Sequence, residues 1–229
     1  MSTVLVIAAH PDDEVLGCGA TMARMADEGA AVHILIMGEG ITSRQDQRDR
    51  SAVEVDLEAL HADVHAAARI VGAKSAEVLT FPDNRFDSCA LLDLVKAVEQ
   101  KKASVQPNVI LTHHANDLNV DHRCVFEAVM TACRPLQDET VREVLSFEVP
   151  SSTEWRAPSA SNAFLPSQYV RVTQAQVEAK IAAMEVYESE RRRSPHPRSP
   201  DALRALAQWR GSSCGSQYAE AFEVVRRLV

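Results

Sequence analysis

Residues 8–14 read Ala-Ala-His-Pro-Asp-Asp-Glu, which sets the imidazole of His10 beside the carboxylates of Asp12, Asp13 and Glu14. Further along, Thr112-His113-His114 and Asp121-His122-Arg123 supply more imidazoles and another carboxylate. A His and an Asp three residues apart, joined by a His from the later segment, make a His₂Asp donor set. Zinc in hydrolytic sites commonly has three such ligands and an open position for water. Two neutral imidazoles and one carboxylate leave a divalent ion with net positive charge, which lowers the pKa of bound water toward ~7. A second carboxylate, off the metal, is then needed as general base. Adjacent Asp12 and Asp13 can divide that work, Asp13 on the metal and Asp12 on the water. The same segment also reads as an ordinary helix start, because proline and acids favour a helix's first turn.

These residues act together only if the fold unites them. Short apolar runs predict strands over 3–9, 31–37, 76–81, 108–113 and 141–148, with helices over 14–27, 52–71, 88–102 and 121–133 between them. Continuous apolar strands alternating with helices indicate an α/β fold with a parallel sheet covered on both faces. In such a sheet ligands bind beyond the carboxyl ends of the strands. His10 follows the first predicted strand and His113 ends the fourth, so both motifs belong to that edge. Beyond residue 150 the pattern breaks. Residues 150–168, rich in Pro, Ser, Ala and Asn, read as a long loop of the kind that forms lids. A helix is expected over 175–191, a second loop at 191–198, a short helix at 202–209 and a strand at 218–225. The expected organisation is one domain over 1–229, with a core to about residue 150 and a tail, 151–229, adding loops and helices around the pocket.

Composition narrows the function classes. The chain has 229 residues, 46% hydrophobic and 24% charged, a globular composition with no disordered character. Its longest apolar run near the start, Val4 to Ala9, is far short of the ~20 residues that span a bilayer. No basic segment or small-residue cleavage site precedes it, so a cytoplasmic protein is expected. A formal charge of −8 argues against nucleic acid as partner. Five cysteines without a Cys-x-x-Cys pair are expected to be free thiols, serving as buried apolar fillers.

Ala-His-Pro-Asp-Asp-Glu with Asp121-His122 downstream resembles the LmbE-like (PIG-L) superfamily of zinc-dependent N-deacetylases, over roughly residues 1–150. The resemblance implies a Rossmann-like fold and removal of acetyl from N-acetylglucosamine-type groups on varied carriers. It implies one zinc ion per chain on His10, Asp13 and His122, with Asp12 as general base and Asp121 as a supporting residue near the metal. The implied partner is a small amino-sugar conjugate, with no nucleic acid and no integral membrane segment; homo-oligomerisation stays open. The carrier is not specified, although arginines near the strand ends favour a phosphorylated or nucleotide-linked sugar. Two positions depart from the pattern. Some members place a histidine three residues before the zinc histidine, where it helps the tetrahedral intermediate; here that position is Asn119. Oxyanion help would come from His113, His114, His196 or Asn119 itself. Some members also bind substrate through an arginine in the helix before the third strand, where this register has Leu60. Arg44, Arg48 or Arg85 could take over recognition of an anion.

Other features carry less chemistry. His61 and His65 sit four apart on a predicted helix but lack the glutamate of a His-Glu-x-x-His site, so they read as a helix face. Gly17-Cys18-Gly19 lacks the third glycine of a dinucleotide fingerprint, because Met22 stands there. Gly38-Glu39-Gly40 reads as a turn near the pocket, and Pro195-His196-Pro197-Arg198 as a stiff segment able to wall it. Two rival functions are a metal-dependent phosphoesterase, which usually needs two ions ~3.5–4 Å apart, and a non-catalytic sugar- or nucleotide-binding module on the same fold.

Overall fold

Alternate residues of the first strand go to opposite sides of a sheet. Val4 and Val6 pack into one apolar cluster, Leu5 and Ile7 into another, all fully buried. That is the pattern of a strand covered on both faces. A computed structural model describes residues 2–44 and 46–229. Along the chain it has β1 (Thr3–Ala8), α1 (Asp13–Asp27), β2 (Ala31–Gly38), α2 (Glu54–Ile70), β3 (Ser75–Phe81), α3 (Leu91–Val105) and β4 (Val109–His113). There follow α4 (Val120–Ala132), β5 (Glu143–Phe147), β6 (Gln168–Val172), α5 (Gln174–Val186), α6 (Pro200–Ser212) and β7 (Tyr218–Arg227). Helices α1, α2, α5 and α6 cover one face, α3 and α4 the other.

The sheet order is β3-β2-β1-β4-β5-β7-β6. Strands β1 to β5 are parallel, and β7 runs antiparallel between β5 and β6. The chain winds outward from β1 to β3, then crosses back to β4 on the other side of β1. The loops after β1 and β4 therefore diverge to opposite faces and leave a crevice between them, the place where open α/β sheets bind ligands. The Ala9 N–H donates to His113 Nε2 at 2.8 Å across this junction.

Helix α1 is broken at Cys18, whose φ/ψ of −146°/24° is not helical. A break leaves carbonyls behind it and N–H groups ahead of it without partners. A buried ion pair takes up both sets. Lys180 Nζ donates to Leu16 O at 2.8 Å and to Glu220 Oε1 at 2.6 Å. Glu220 accepts from Thr21 N at 2.6 Å and from Ala20 N at 3.3 Å. Just before the break, a Cβ on Gly17 would lie 2.2 Å from the Phe147 ring, so only glycine lets this turn approach the sheet. The tail thus splices the helix that carries the acidic motif.

The strands and helices expected over 3–148 are all present, with ends moved by up to a few residues. Tyr218–Arg227 is a strand, as expected. Strand β6 was not anticipated: Gln168–Val172 has only five residues and is half-buried over most of its length, so no apolar run marks it. The helix expected to reach residue 191 stops at Val186, because Tyr187 leaves the helix to bury its ring and reach Glu14. Cys18 and Cys133 are buried, Cys124 is half-buried against the edge of the core, and Cys89 and Cys214 are half-buried outside it and are not core fillers. Among the described residues no helix is long and apolar enough to cross a membrane.

Removing one member of a buried ion pair strands the other charge, at a cost of about 3–5 kcal/mol. Glu220→Ala is expected to lower unfolding stability by about that amount in urea titration; a loss below ~1 kcal/mol would contradict the splice.

Candidate active site

Asp12 begins the site in an unusual backbone state, φ +103° and ψ −29°, a left-handed conformation that costs a non-glycine residue on the order of 1–3 kcal/mol. The turn persists because its surroundings over-determine it. The Asp12 carbonyl accepts from Val15 N at 3.1 Å and Leu16 N at 2.9 Å, starting α1. Its N–H donates to Glu14 Oε2 at 3.1 Å, and Tyr187 OH donates to Glu14 Oε1 at 2.5 Å. Burial pushes Glu14 up to about 7 despite these bonds. Gly40 (φ +73°) closes the turn from the other side, where an added Cβ would meet Leu60 at 2.9 Å and Pro11 at 3.2 Å.

Three side chains from the two loops converge beneath this turn. Asp13 Oδ2 lies 3.2 Å from His10 Nδ1 and 3.1 Å from His122 Nε2. One ligand atom from each of His10, Asp13 and His122 falls within 4.8 Å of the others, the spacing of donors around one metal ion. The donors suit such an ion for a further reason. Both ring nitrogens of His122 are buried without a properly directed hydrogen bond, although Asp13 and Asp117 oxygens stand 3.1 and 3.0 Å away. Burial disfavours charge on His122, but Asp13 and Asp117 outweigh it and raise the imidazole to about 9. Burial alone would raise Asp13; His122 and His10 instead hold it well below the usual carboxylate range. The cluster favours a positive charge at its centre.

Carboxylates behind the imidazoles set their orientation, as is usual around metal-binding histidines. His10 Nε2 lies 2.9 Å from Asp121 Oδ2, and Asp121 Oδ1 accepts the Phe86 N–H at 2.9 Å. Asp83 Oδ1 is 3.4 Å from the same His10 nitrogen. On the other side Asp117 accepts hydroxyl bonds from Ser152 and Thr153 while it faces His122 Nδ1. His113 and His114 are engaged elsewhere. His113 stacks on His122 with ring centres 3.9 Å apart, and its Nε2 is taken by Ala9. His114 pairs with Glu223 at 2.7 Å and approaches Asn162 O at 3.2 Å. Of the three later histidines, only His122 joins His10 and Asp13.

A pocket of about 320 Å³ opens over this cluster, and Asp12, Arg44, Asn119, His196 and Leu60 all line it. Asp12 Oδ2 accepts from Arg198 Nη1 at 2.6 Å. Burial, with help from Asp13, holds the Asp12 carboxyl well above its ordinary range against the pull of Arg198. Asn119 is the N-cap of α4: its Oδ1 accepts from Asp121 N at 2.8 Å and its Nδ2 donates to Asn84 at 2.9 Å. His196 accepts the Arg198 N–H at its Nδ1, 3.2 Å away, and packs edge-on against Trp155. Arg85 is exposed on the turn after β3 and does not line the pocket. Arg48 is bound to buried Glu39 at 2.7 and 3.0 Å. No sequence pattern singles out Asp83, and Arg198 reads only as part of a stiff wall; acids flanking a His motif are the available signal for Asp117.

The comparisons agree with this geometry. The family model described as PIG-L, GlcNAc-PI de-N-acetylase, matches residues 5–133. The uncharacterized deacetylase YaiS of Escherichia coli K12 is 30% identical over 191 residues, covering 81% of this chain and 90% of that protein. The diacetylchitobiose deacetylase of Thermococcus kodakarensis is 25% identical over 230 residues, 97% of this chain and 82% of that one. The conserved protein TT1542 of Thermus thermophilus superposes with a TM-score of 0.76 at 25% identity, covering 100% of this chain and 97% of that one. With the sheet, the crevice at its switch point and the His-Asp cluster in place, this chain belongs to the PIG-L (LmbE-like) family of deacetylases.

Proposed function

We propose that this protein is a zinc-dependent hydrolase that removes the acetyl group from an N-acetylated amino sugar of the N-acetylglucosamine type, releasing acetate and a free amine. The observation that carries this reading is the convergence of His10, Asp13 and His122 beneath a strained Asp12 that lies outside the donor group. His10, Asp13 and His122 would hold the ion. A zinc ion bound there would polarise the acetamide carbonyl and bring the pKa of water toward ~7. Asp12 takes a proton from the attacking water as its oxygen joins the acyl carbon. The C–N bond then breaks, and Asp12 returns the proton to the departing nitrogen. Relatives named as deacetylases, one of them acting on diacetylchitobiose, support the reaction class.

A donor is also needed for the charge that develops on the acyl oxygen. Of the four candidates, His113 and His114 do not line the pocket, and Asn119 spends its Oδ1 on capping α4 and an Nδ2 hydrogen on Asn84. His196 accepts at Nδ1, so in its neutral form the proton sits on Nε2 and that nitrogen is a donor. Burial and the nearby Arg198 and Arg192 lower its pKa, which keeps it neutral. We assign the oxyanion role to His196.

The two-ion phosphoesterase has one structural point in its favour, a second donor group of His10, Asp83 and Asp121. It uses the same imidazole, so we read those carboxylates as orienting His10 and expect one ion per chain. Elemental analysis of purified protein decides this, and two ions per chain would favour the phosphoesterase. Asp12→Asn should keep its metal while acetate release from N-acetyl sugars falls by ~10²–10⁴-fold; normal turnover would defeat the assignment of the base. His196→Ala should lower kcat by roughly 10²-fold, the effect of losing one oxyanion donor. A change confined to KM would remove it from that role.

A further inference from the structure

The pocket is electrically lopsided. Its floor is acidic, with Asp12, Asp13 and Asp83 around the imidazoles. Its mouth is basic, with Arg44, Arg192 and Arg198 converging on the single carboxylate of Glu190. Arg198 is largely spoken for by Asp12 at 2.6 Å. Arg44 and Arg192 are then left to share Glu190, which gives the mouth an excess of positive charge. Arg44 is half-exposed, and Glu190 is its one side-chain partner among the described residues. Its Nε and Nη1 have no hydrogen-bond partner among those residues. Arg192 spends Nη1 on the carbonyls of Ser189 and Arg191, and its Nη2 stands 3.7 Å from Glu190.

The space continues past this mouth. A second cavity of about 670 Å³ shares Ile41, Arg44 and Leu60 with the first. Its far side carries Val53 and Ala59 together with Asp56, Asp63 and Glu188, the last paired with Arg191 at 2.9 Å; they offer apolar contact and hydroxyl acceptors but no second cation in the lining. Arg44 thus stands at the junction of a small chamber over the His-Asp cluster and a larger one beyond. Guanidinium groups hold phosphate or carboxylate oxygens through paired N–H donors, and they stay charged at every working pH.

We infer that the substrate is an anionic conjugate: an N-acyl amino sugar whose phosphate or other acid group, next to the ring, is held by Arg44 and Arg192, with the rest of the carrier in the second cavity. This rests on the deacetylase reading for the sugar end, and on the arginines alone for the anionic end. Glu190 occupies the place of that anion in the free protein and competes with it. A phosphorylated sugar and a nucleotide-linked sugar share this chemistry.

Isothermal titration on the protein stripped of metal by a chelator, so that the sugars are not turned over and Asp12 still holds Arg198, separates these possibilities, using N-acetylglucosamine, its 1-phosphate and its UDP conjugate as probes. At least one of the two charged probes should bind ~10-fold or more tighter than the neutral sugar, the range of one or two charge-assisted hydrogen bonds. A preference for the UDP conjugate over the 1-phosphate would place the carrier in the second cavity, and the reverse would overturn that placement. Adding Arg44→Ala with Arg192→Ala should collapse the charged-to-neutral ratio toward one, and Glu190→Gln should raise it. Equal binding of charged and neutral probes, or a ratio unmoved by the double arginine change, overturns the inference. Acetate release by the unmutated chain, followed on the same sugars, tests the deacetylase reading separately: turnover without charge preference sinks the anionic site alone, and charge preference without turnover sinks the reaction.

Discussion

One oxygen organises the crevice. Asp13 Oδ2 has two imidazoles within 3.2 Å and a third, His113, at 3.7 Å. Buried carboxylates and imidazoles at that spacing are costly unless a positive charge sits among them. The neighbouring structure is arranged to hold that cluster open and oriented. Asp121 and Asp117 fix the two outer rings from behind, and each is anchored in turn, by the Phe86 amide and by the Ser152 and Thr153 hydroxyls. Removing the central demand for a cation would leave this scaffold of buried acids without a reason.

The tail serves the same end from a distance. Lys180 and Glu220 mend the break in α1, Tyr187 holds Glu14, and Arg198 holds Asp12. All four come from residues beyond 150, yet each acts on residues 12–21. The strained turn at Asp12 is therefore a property of the whole chain and not of the motif alone. Its cost is offset by contacts from both ends of the sequence.

The sheet was legible because fully buried strands write themselves as unbroken apolar runs such as Val4–Ala9 and Ile34–Met37. The edge strand Gln168–Val172 was not, since it is short and half-buried. The convergence of His10 and His122 could be anticipated from two strand ends facing one edge. The choice of His122 over His113 and His114 came only through the family resemblance; in the structure it turns on where Ala9 and Glu223 direct their hydrogen bonds. Arg198 was hidden for a similar reason. Its partner is 186 positions away, and no local pattern encodes so distant a pairing. Arg85 lies outside the pocket lining, because an arginine at a strand end is a signal of place but not of direction.

The central claim is that one ion sits between the two loops. Crystals of the zinc-loaded protein measured at the zinc absorption edge address it directly. The account predicts a single anomalous peak ~2.0–2.2 Å from donor atoms of His10, Asp13 and His122, with the Asp12 carboxylate nearby but unbound. A peak placed instead among His10, Asp83 and Asp121, or a pair of peaks sharing His10, would contradict it.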